Sequence, residues 1–423
     1  MSFDRRQLLL RTGLALSAAG LGGLWEEPAK AADAGEAARP SWAEVRAEFG
    51  LDPATIHLGS LLLASHPRSV RLAIERHRRG LDRNPVHYLH ENQFRLEADV
   101  LREAGAYLGA RPVDIALTDS TTMGLGLLYN GLRVQRGQEL LTSRHDFFAT
   151  HEALRTAATR RGADFRTISL YERPERASAD GIVRALATAI GPKTRVVALT
   201  WVHSSTGVKL PVARLAAVVR RANARRSVSD RILFCLDGVH GLGVEAAGVR
   251  DLGVDFLVAG CHKWLFGPRG TGLIWGRPDA WEHVEPTIPS FSGSSTQAAA
   301  MTPGGFHSFE HRWALGEAFR LHRRIGKERV AARIHALNKQ LKDGLAAMSH
   351  VTLYTPRVTG LSAGLVCFDV AGLGPGDVVE RLATRRIVAT VTPYQTSYAR
   401  LAPGVLNSPA DIDAALRAIR ALS

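Results

Sequence analysis

Between residues 114 and 275 the chain alternates short apolar runs with stretches of helical periodicity. No other feature restricts its fold as strongly. The apolar runs lie at 114–117, 139–142, 196–202, 232–236, 256–259 and 272–275, and helical patterns lie between them at 124–132, 149–160, 181–189 and 211–224. Repeated strand–helix units build parallel strands in an open, doubly wound sheet covered by helices on both faces. Such sheets take ligands at the carboxyl ends of their strands. Beyond about residue 310 the rhythm changes. One amphipathic helix is expected from 313 to 348, bent or interrupted near Gly326, followed by strands at 351–354, 364–370 and 387–391 and a helix at 375–385. Ser408-Pro409-Ala410-Asp411 opens the last helix as a capping box with proline in the first turn. The expectation is a large sheet domain over 49–310 and a smaller α+β domain over 311–423.

The start of the chain reads as an address, not as structure. Arg5 and Arg6 precede a mildly apolar, glycine-containing run, and Ala29-Lys30-Ala31 has the form of a cleavage site. Residues 1–31 resemble a twin-arginine (Tat) export signal, with 32–48 as a polar linker. That predicts a periplasmic or otherwise extracytoplasmic protein that meets the Tat export machinery. The net charge of +14 raises the question of nucleic acid, but the arginines are scattered and form no basic block. Small anionic ligands suit the charge better than nucleic acid. Cys235, Cys261 and Cys367 each stand alone in an apolar run, which points to core thiols and not to a disulfide framework or a metal site.

Arginine carries nearly all of the positive charge, for only seven of the 54 basic residues are lysines. One of them, Lys263, stands in CHKWLFGPRGTG (261–272), directly after the apolar run 256–259. A lysine there offers what arginine cannot, a primary amine that can lose its proton. Asp237 ends the run 232–236, one crossover earlier, so amine and carboxylate are expected at one sheet edge. A salt bridge is the plain reading. The stronger one is a pyridoxal 5'-phosphate (PLP) site, with Lys263 as the Schiff-base lysine and Asp237 on the pyridine nitrogen. A phosphate site fits Thr118-Asp119-Ser120-Thr121-Thr122, which follows a strand and opens a helix. Phe147 is placed to stack on the ring, with Phe148 as its competitor.

With these residues in view, the chain resembles the class V aminotransferases among fold-type I PLP enzymes, and most of all their isopenicillin N epimerase-like members. The matching segments are DRNP (82–85), DSTT (119–122), RHDF (144–147), SSTG (204–207), DGVHGLG (237–243), HKWLFGPRGTG (262–272) and the tail from Arg400 to Asp413. The resemblance implies a large, mostly parallel sheet domain plus a small C-terminal domain. It implies that Lys263 and Asp237 are catalytic, that Thr121, Thr122 and His262 hold the phosphate, and that His240 and Phe147 flank the ring. The substrate would be an amino acid or amine, Arg400 would hold the substrate α-carboxylate, and the protein would be a homodimer. Two departures stand out. Where relatives carry a Gly-Thr pair that reaches the partner's phosphate, this chain has Glu310-His311-Arg312-Trp313. Where desulfurases of the family have a loop cysteine, Cys367 sits in an alternating strand pattern.

Epimerase, transaminase and β-lyase or C–S lyase chemistry share removal of a Cα proton, and the residues do not choose among them. An exported binding protein that keeps the fold without turnover is the alternative. A nicotinamide-binding fold is a poor reading, because no G-x-G-x-x-G follows the first strand of a strand–helix–strand unit.

Overall fold

Burial on both faces is why the central strands read as unbroken apolar runs. In the computed structural model, which describes residues 39–291 and 296–422, Val197 and Leu199 of one strand enter the core on one side of the sheet. Val196 and Ala198 of the same strand enter the core on the other side. The strands are β1 (Ile56–His57), β2 (Ile115–Thr118), β3 (Glu139–Ser143), β4 (Asp164–Ile168), β5 (Thr194–Thr200), β6 (Leu233–Asp237), β7 (Phe256–Gly260) and β8 (Gly272–Gly276). Seven of them form one sheet in the order β2-β8-β7-β6-β5-β3-β4. The pairs β3–β4, β3–β5, β5–β6 and β6–β7 are parallel. Only β8 runs antiparallel to its neighbours β2 and β7. The doubly wound, mostly parallel sheet expected from the alternation is therefore present. β4 was not foreseen. It is an edge strand, half-exposed, and its Arg166 reaches across to Glu139 at 2.6 Å, so its sequence lacks an apolar run.

The amphipathic stretch after residue 310 forms two helices, Phe309–Ile325 and Lys327–Ala346. They divide at Gly326, whose φ of +95° ends the first helix. The first helix packs on Arg68–Arg83 and Pro85–Leu108. A second sheet contains β9 (Val351–Leu353), β10 (Val366–Val370), β12 (Thr390–Val391) and β13 (Ala399–Leu401), all antiparallel in the order β12-β13-β10-β9. The expected strand at 387–391 is in fact divided. β11 (Ile387–Val388) pairs in parallel with β1, while β12 pairs with β13, so the chain changes partners at Ala389.

The twin-arginine segment at 1–31 and residues 32–38 of the expected linker lie outside the described residues. The rest of that polar linker contains a short helix. Ser41 caps the helix Trp42–Ala47, and Glu44 completes the capping box. The four-residue signature Ser41-Trp42-Ala43-Glu44 could have announced this helix.

Candidate active site

The carboxyl ends of β2, β3, β5, β6 and β7 open onto one cavity, and β13 adds a residue from the second sheet. Its walls include every residue singled out from the sequence: Thr121, Thr122, Phe147, Asp237, His240, His262, Lys263 and Arg400. Phe147 faces the cavity, whereas Phe148 is 60% exposed.

Each strand end turns in a way its sequence requires. β2 runs into Ser120, whose hydroxyl accepts from the Met123 N–H at 3.1 Å and caps the helix Thr121–Gly131. The first-turn N–H groups of that helix have no partner within it, and they face the cavity end. Thr121 Oγ1 accepts the Gly260 N–H at 2.7 Å, which ties the helix start to the end of β7 and leaves the Thr121 hydroxyl proton free to donate. This contact needs glycine, for a Cβ on Gly260 would lie 2.9 Å from Thr121 Oγ1. After Lys263 the chain doubles back. The Gly267 N–H donates to the Cys261 carbonyl at 2.8 Å, and Phe266 takes a left-handed φ of +60° held by burial against Phe49.

The charges in the cavity act on one another. Burial pulls Lys263 down from 10.5 to about 8, Asp237 pushes it back up, and Arg400 lowers it further. Burial also lifts Asp237 to about 6, against the Val239 N–H that donates to Oδ1 at 3.0 Å and the nearby Lys263. Arg400 donates from Nη1 to the Ser204 carbonyl at 2.7 Å and from Nε to Thr390 Oγ1 at 3.1 Å. Its Nη2 makes no hydrogen bond to the described residues. Ser204 Oγ in turn meets the Tyr394 hydroxyl at 2.7 Å.

Behind Phe147 lies a buried polar network that the sequence reading missed. Burial alone would raise the Asp146 carboxyl, but His203 and hydrogen bonds from Thr200 and Ser143 hold it well below the usual range. Its oxygens accept from Thr142 Oγ1, the Ser143 N–H and hydroxyl, and the Thr200 N–H at 2.7–2.9 Å. His203 Nδ1 meets the Tyr171 hydroxyl at 2.8 Å, and His145 stacks on Tyr171 with ring centres 3.8 Å apart. His145, Thr200, His203, Ser204 and Tyr394 all line the cavity. The one sequence signal was the polar run Arg144-His145-Asp146 immediately after an apolar strand.

The residues fit PLP. A helix N-terminus with two threonines suits a phosphate dianion, a buried carboxylate suits a pyridinium nitrogen, and a buried amine suits an aldehyde. Among the described residues, four buried polar atoms of cavity-lining side chains have no hydrogen-bond partner in the protein: His145 Nε2, Thr200 Oγ1, His203 Nε2 and His262 Nδ1. The Glu310–Trp313 departure also acquires a geometry. Arg312 Nη2 lies 3.3 Å from Asp119 Oδ1 of the same chain, beside the phosphate turn, and His311 Nδ1 meets the Arg269 carbonyl at 2.9 Å.

Comparison with known proteins supports the family and the cofactor. The family model described as aminotransferase class-V matches residues 69–394. The chain is 28% identical over 374 residues to isopenicillin N epimerase of Streptomyces clavuligerus, covering 83% of this chain and 91% of that protein. It is 28% identical over 291 residues to a probable cysteine desulfurase of Pseudomonas aeruginosa, covering 65% and 67%. Among solved structures, a C-DES mutant with glycine covalently linked to its PLP cofactor superposes with a TM-score of 0.81 at 23% identity, over 89% of this chain and 98% of that one. Cysteine desulfurase of Thermococcus onnurineus NA1 superposes with a TM-score of 0.78 at 21% identity, over 90% and 97%. The architecture is the fold-type I arrangement expected from the sequence.

Proposed function

The chain belongs to the class-V aminotransferase family, and from that premise we propose that it is a PLP enzyme that moves the Cα proton of an amino acid. The observation that carries the reading is Lys263, a buried amine brought to about 8 beside the buried Asp237 at the carboxyl edge of the sheet. When bound, PLP supplies an aldehyde that condenses with amines and a ring that stores the electron pair left when a bond at Cα breaks.

The side chains divide the remaining work. Thr121, Thr122 and the first-turn N–H groups hold the phosphate, with His262 beside them. Asp237, fixed by the Val239 N–H, holds a proton on the ring nitrogen. Phe147 covers a ring face and, unlike Tyr or His, brings no proton of its own. Arg400 presents Nη2 to the substrate carboxylate, a charge-assisted contact from a buried guanidinium. Lys263 Nζ takes the Cα proton, and its lowered pKa lets it act as a base near neutral pH.

The cysteines bear on the reaction type. Cys235, Cys261 and Cys367 are all buried, and burial raises each thiol, Cys367 to about 12. A thiol that accepts sulfur must reach the substrate as a thiolate, and none of these can. Epimerisation or elimination is therefore favoured over persulfide transfer, in line with the epimerase relatives.

The test is spectroscopic and isotopic. Purified protein with PLP should be yellow, bleach with borohydride and carry the pyridoxyl adduct on Lys263. In D2O it should exchange the Cα proton of one or more amino acids, read by NMR. A colourless protein that stays colourless with PLP would sink the proposal. Export and a homodimer belong to the same proposal, resting on Arg5-Arg6 and on the family. Export predicts that Arg5→Lys with Arg6→Lys retains the protein in the cytoplasm, and sedimentation of the holoenzyme tests the dimer.

A further inference from the structure

Trp264 follows Lys263 directly and is 2% exposed. Its indole Nε1 lies 3.2 Å from Nδ1 of His240, itself 4% exposed. An indole N–H only donates. Nδ1 of His240 therefore accepts and carries no proton, and a neutral His240 must hold its proton on Nε2. The neutral state is enforced by its surroundings. Burial, with the cations Lys263 and Arg400 close by, keeps the imidazole well below its ordinary pKa. His240 lines the cavity beside Asp237 and Lys263, so the polar group it has left to offer is Nε2–H.

The indole is itself held in place. A Cβ on Gly364 would lie 2.5 Å from its Cη2, and a Cβ on Gly243 would lie 2.7 Å from the Trp264 carbonyl carbon. Segments from both parts of the chain thus close around Trp264 only because those two positions are glycine.

We propose that Trp264 is a positioning residue that fixes His240 as the Nε2–H tautomer, so that the cavity wall presents a hydrogen-bond donor to an anionic oxygen of the bound ligand. With PLP bound, the ionised ring hydroxyl would be such an oxygen, and this part rests on the cofactor reading above. The tautomer itself does not, for it is a property of the cofactor-free protein. The alternative tautomer would turn a lone pair toward the same oxygen and repel it. Lys263, Asp237 and Arg400 supply charge around this point, but none of them can select the proton's position on His240. Only the indole, at hydrogen-bond distance from one ring nitrogen, does so.

The test is made on cofactor-free protein labelled with 15N-histidine. Long-range 1H–15N spectra distinguish protonated from bare ring nitrogens, and His240→Gln identifies the His240 signals by their loss. Wild type should show a bare Nδ1 and a protonated Nε2, unchanged from pH 6 to 9. A protonated Nδ1, or an imidazolium that titrates in that range, would overturn the proposal without any variant having to fold. In Trp264→Phe the single tautomer should be lost to a mixture; persistence of pure Nε2–H there would equally overturn the role of Trp264. In the PLP-loaded protein, Trp264→Phe should move the pH midpoint of the visible band upward, while His240→Gln, which keeps a donor, should move it less. A wild type with the expected tautomer that never binds PLP would refute the cofactor reading and leave the tautomer assignment standing.

Discussion

The state of Lys263 is where the reading is most exposed to measurement. Burial brings its amine from 10.5 to about 8, Arg400 pushes in the same direction and Asp237 in the opposite one. The net change corresponds to roughly 3 kcal/mol against the charged form. At pH 7.5 roughly a quarter of the amines are then neutral, against roughly one in a thousand for an ordinary lysine. Cofactor-free protein can be labelled briefly with acetic anhydride between pH 6 and 10.5, and the extent at Lys263 read by peptide mass spectrometry, with exposed Lys339 as the reference for the reagent. The pH midpoint reports the amine and is insensitive to its access. Wild type should show a midpoint near 8. The two neighbours should then separate by sign. Asp237→Asn removes the counter-charge and lowers the midpoint, whereas Arg400→Gln removes a like charge and raises it. Each shift should be about one pH unit, the lower end of what a close charge produces. A wild-type midpoint near 10, or two variants that move together, would refute the electrostatic account of this lysine.

Four further outcomes follow from the same geometry. Asp146→Asn replaces an acceptor of four hydrogen bonds with an amide that opposes donors with a donor, and should cost about 3 kcal/mol or more in urea unfolding at pH 7. Because the folded carboxyl lies well below the usual range, its contribution is full above the unfolded pKa of about 3.9 and is lost as pH falls below it. The gap between wild type and variant should therefore narrow in acid, and a constant gap would contradict the assignment. Gly207 has φ +75°, and a Cβ there would meet the Leu365 carbonyl at 2.7 Å, so Gly207→Ala should lower stability by about 3 kcal/mol. Gly376→Ala, at an open position in the helix Pro375–Ala383, should be neutral or raise stability by up to about 1 kcal/mol in the same urea assay. Arg400→Lys keeps the charge but loses the fork, and should weaken binding of an amino acid, read as the spectral shift of the holoenzyme, by about 10-fold to 100-fold.

How much of this was legible in the sequence depends on where each residue's constraint lies. Asp237 and Lys263 interrupt apolar runs with the two charge types that burial tolerates least, so they announce themselves locally. Thr121 and Thr122 show through helix-capping chemistry at a strand end. Asp146 obeys a different rule. Its partners Thr142 and Ser143 are neighbours in sequence, but Thr200 comes from β5 and His203 from the turn beyond it. Only the parallel register β3–β5 brings them together, and the lone acidic residue in a polar turn gives no hint of four donors. Arg400 is the sharper case. It sits in a three-residue strand, too short to show alternation, in a chain crowded with arginines. Its role came from resemblance, and the structure adds the reason its charge is available at all. Burial would otherwise exclude the guanidinium, but the Ser204 carbonyl and Thr390 hydroxyl each take one N–H and leave Nη2 without a partner among the described residues, on a side chain that lines the cavity. A surface arginine has no need of such support. Two neutral acceptors and no carboxylate leave the buried Arg400 guanidinium without a counter-charge from the protein, so an anionic ligand would gain from it, and the tenfold or greater loss expected for Arg400→Lys measures that gain.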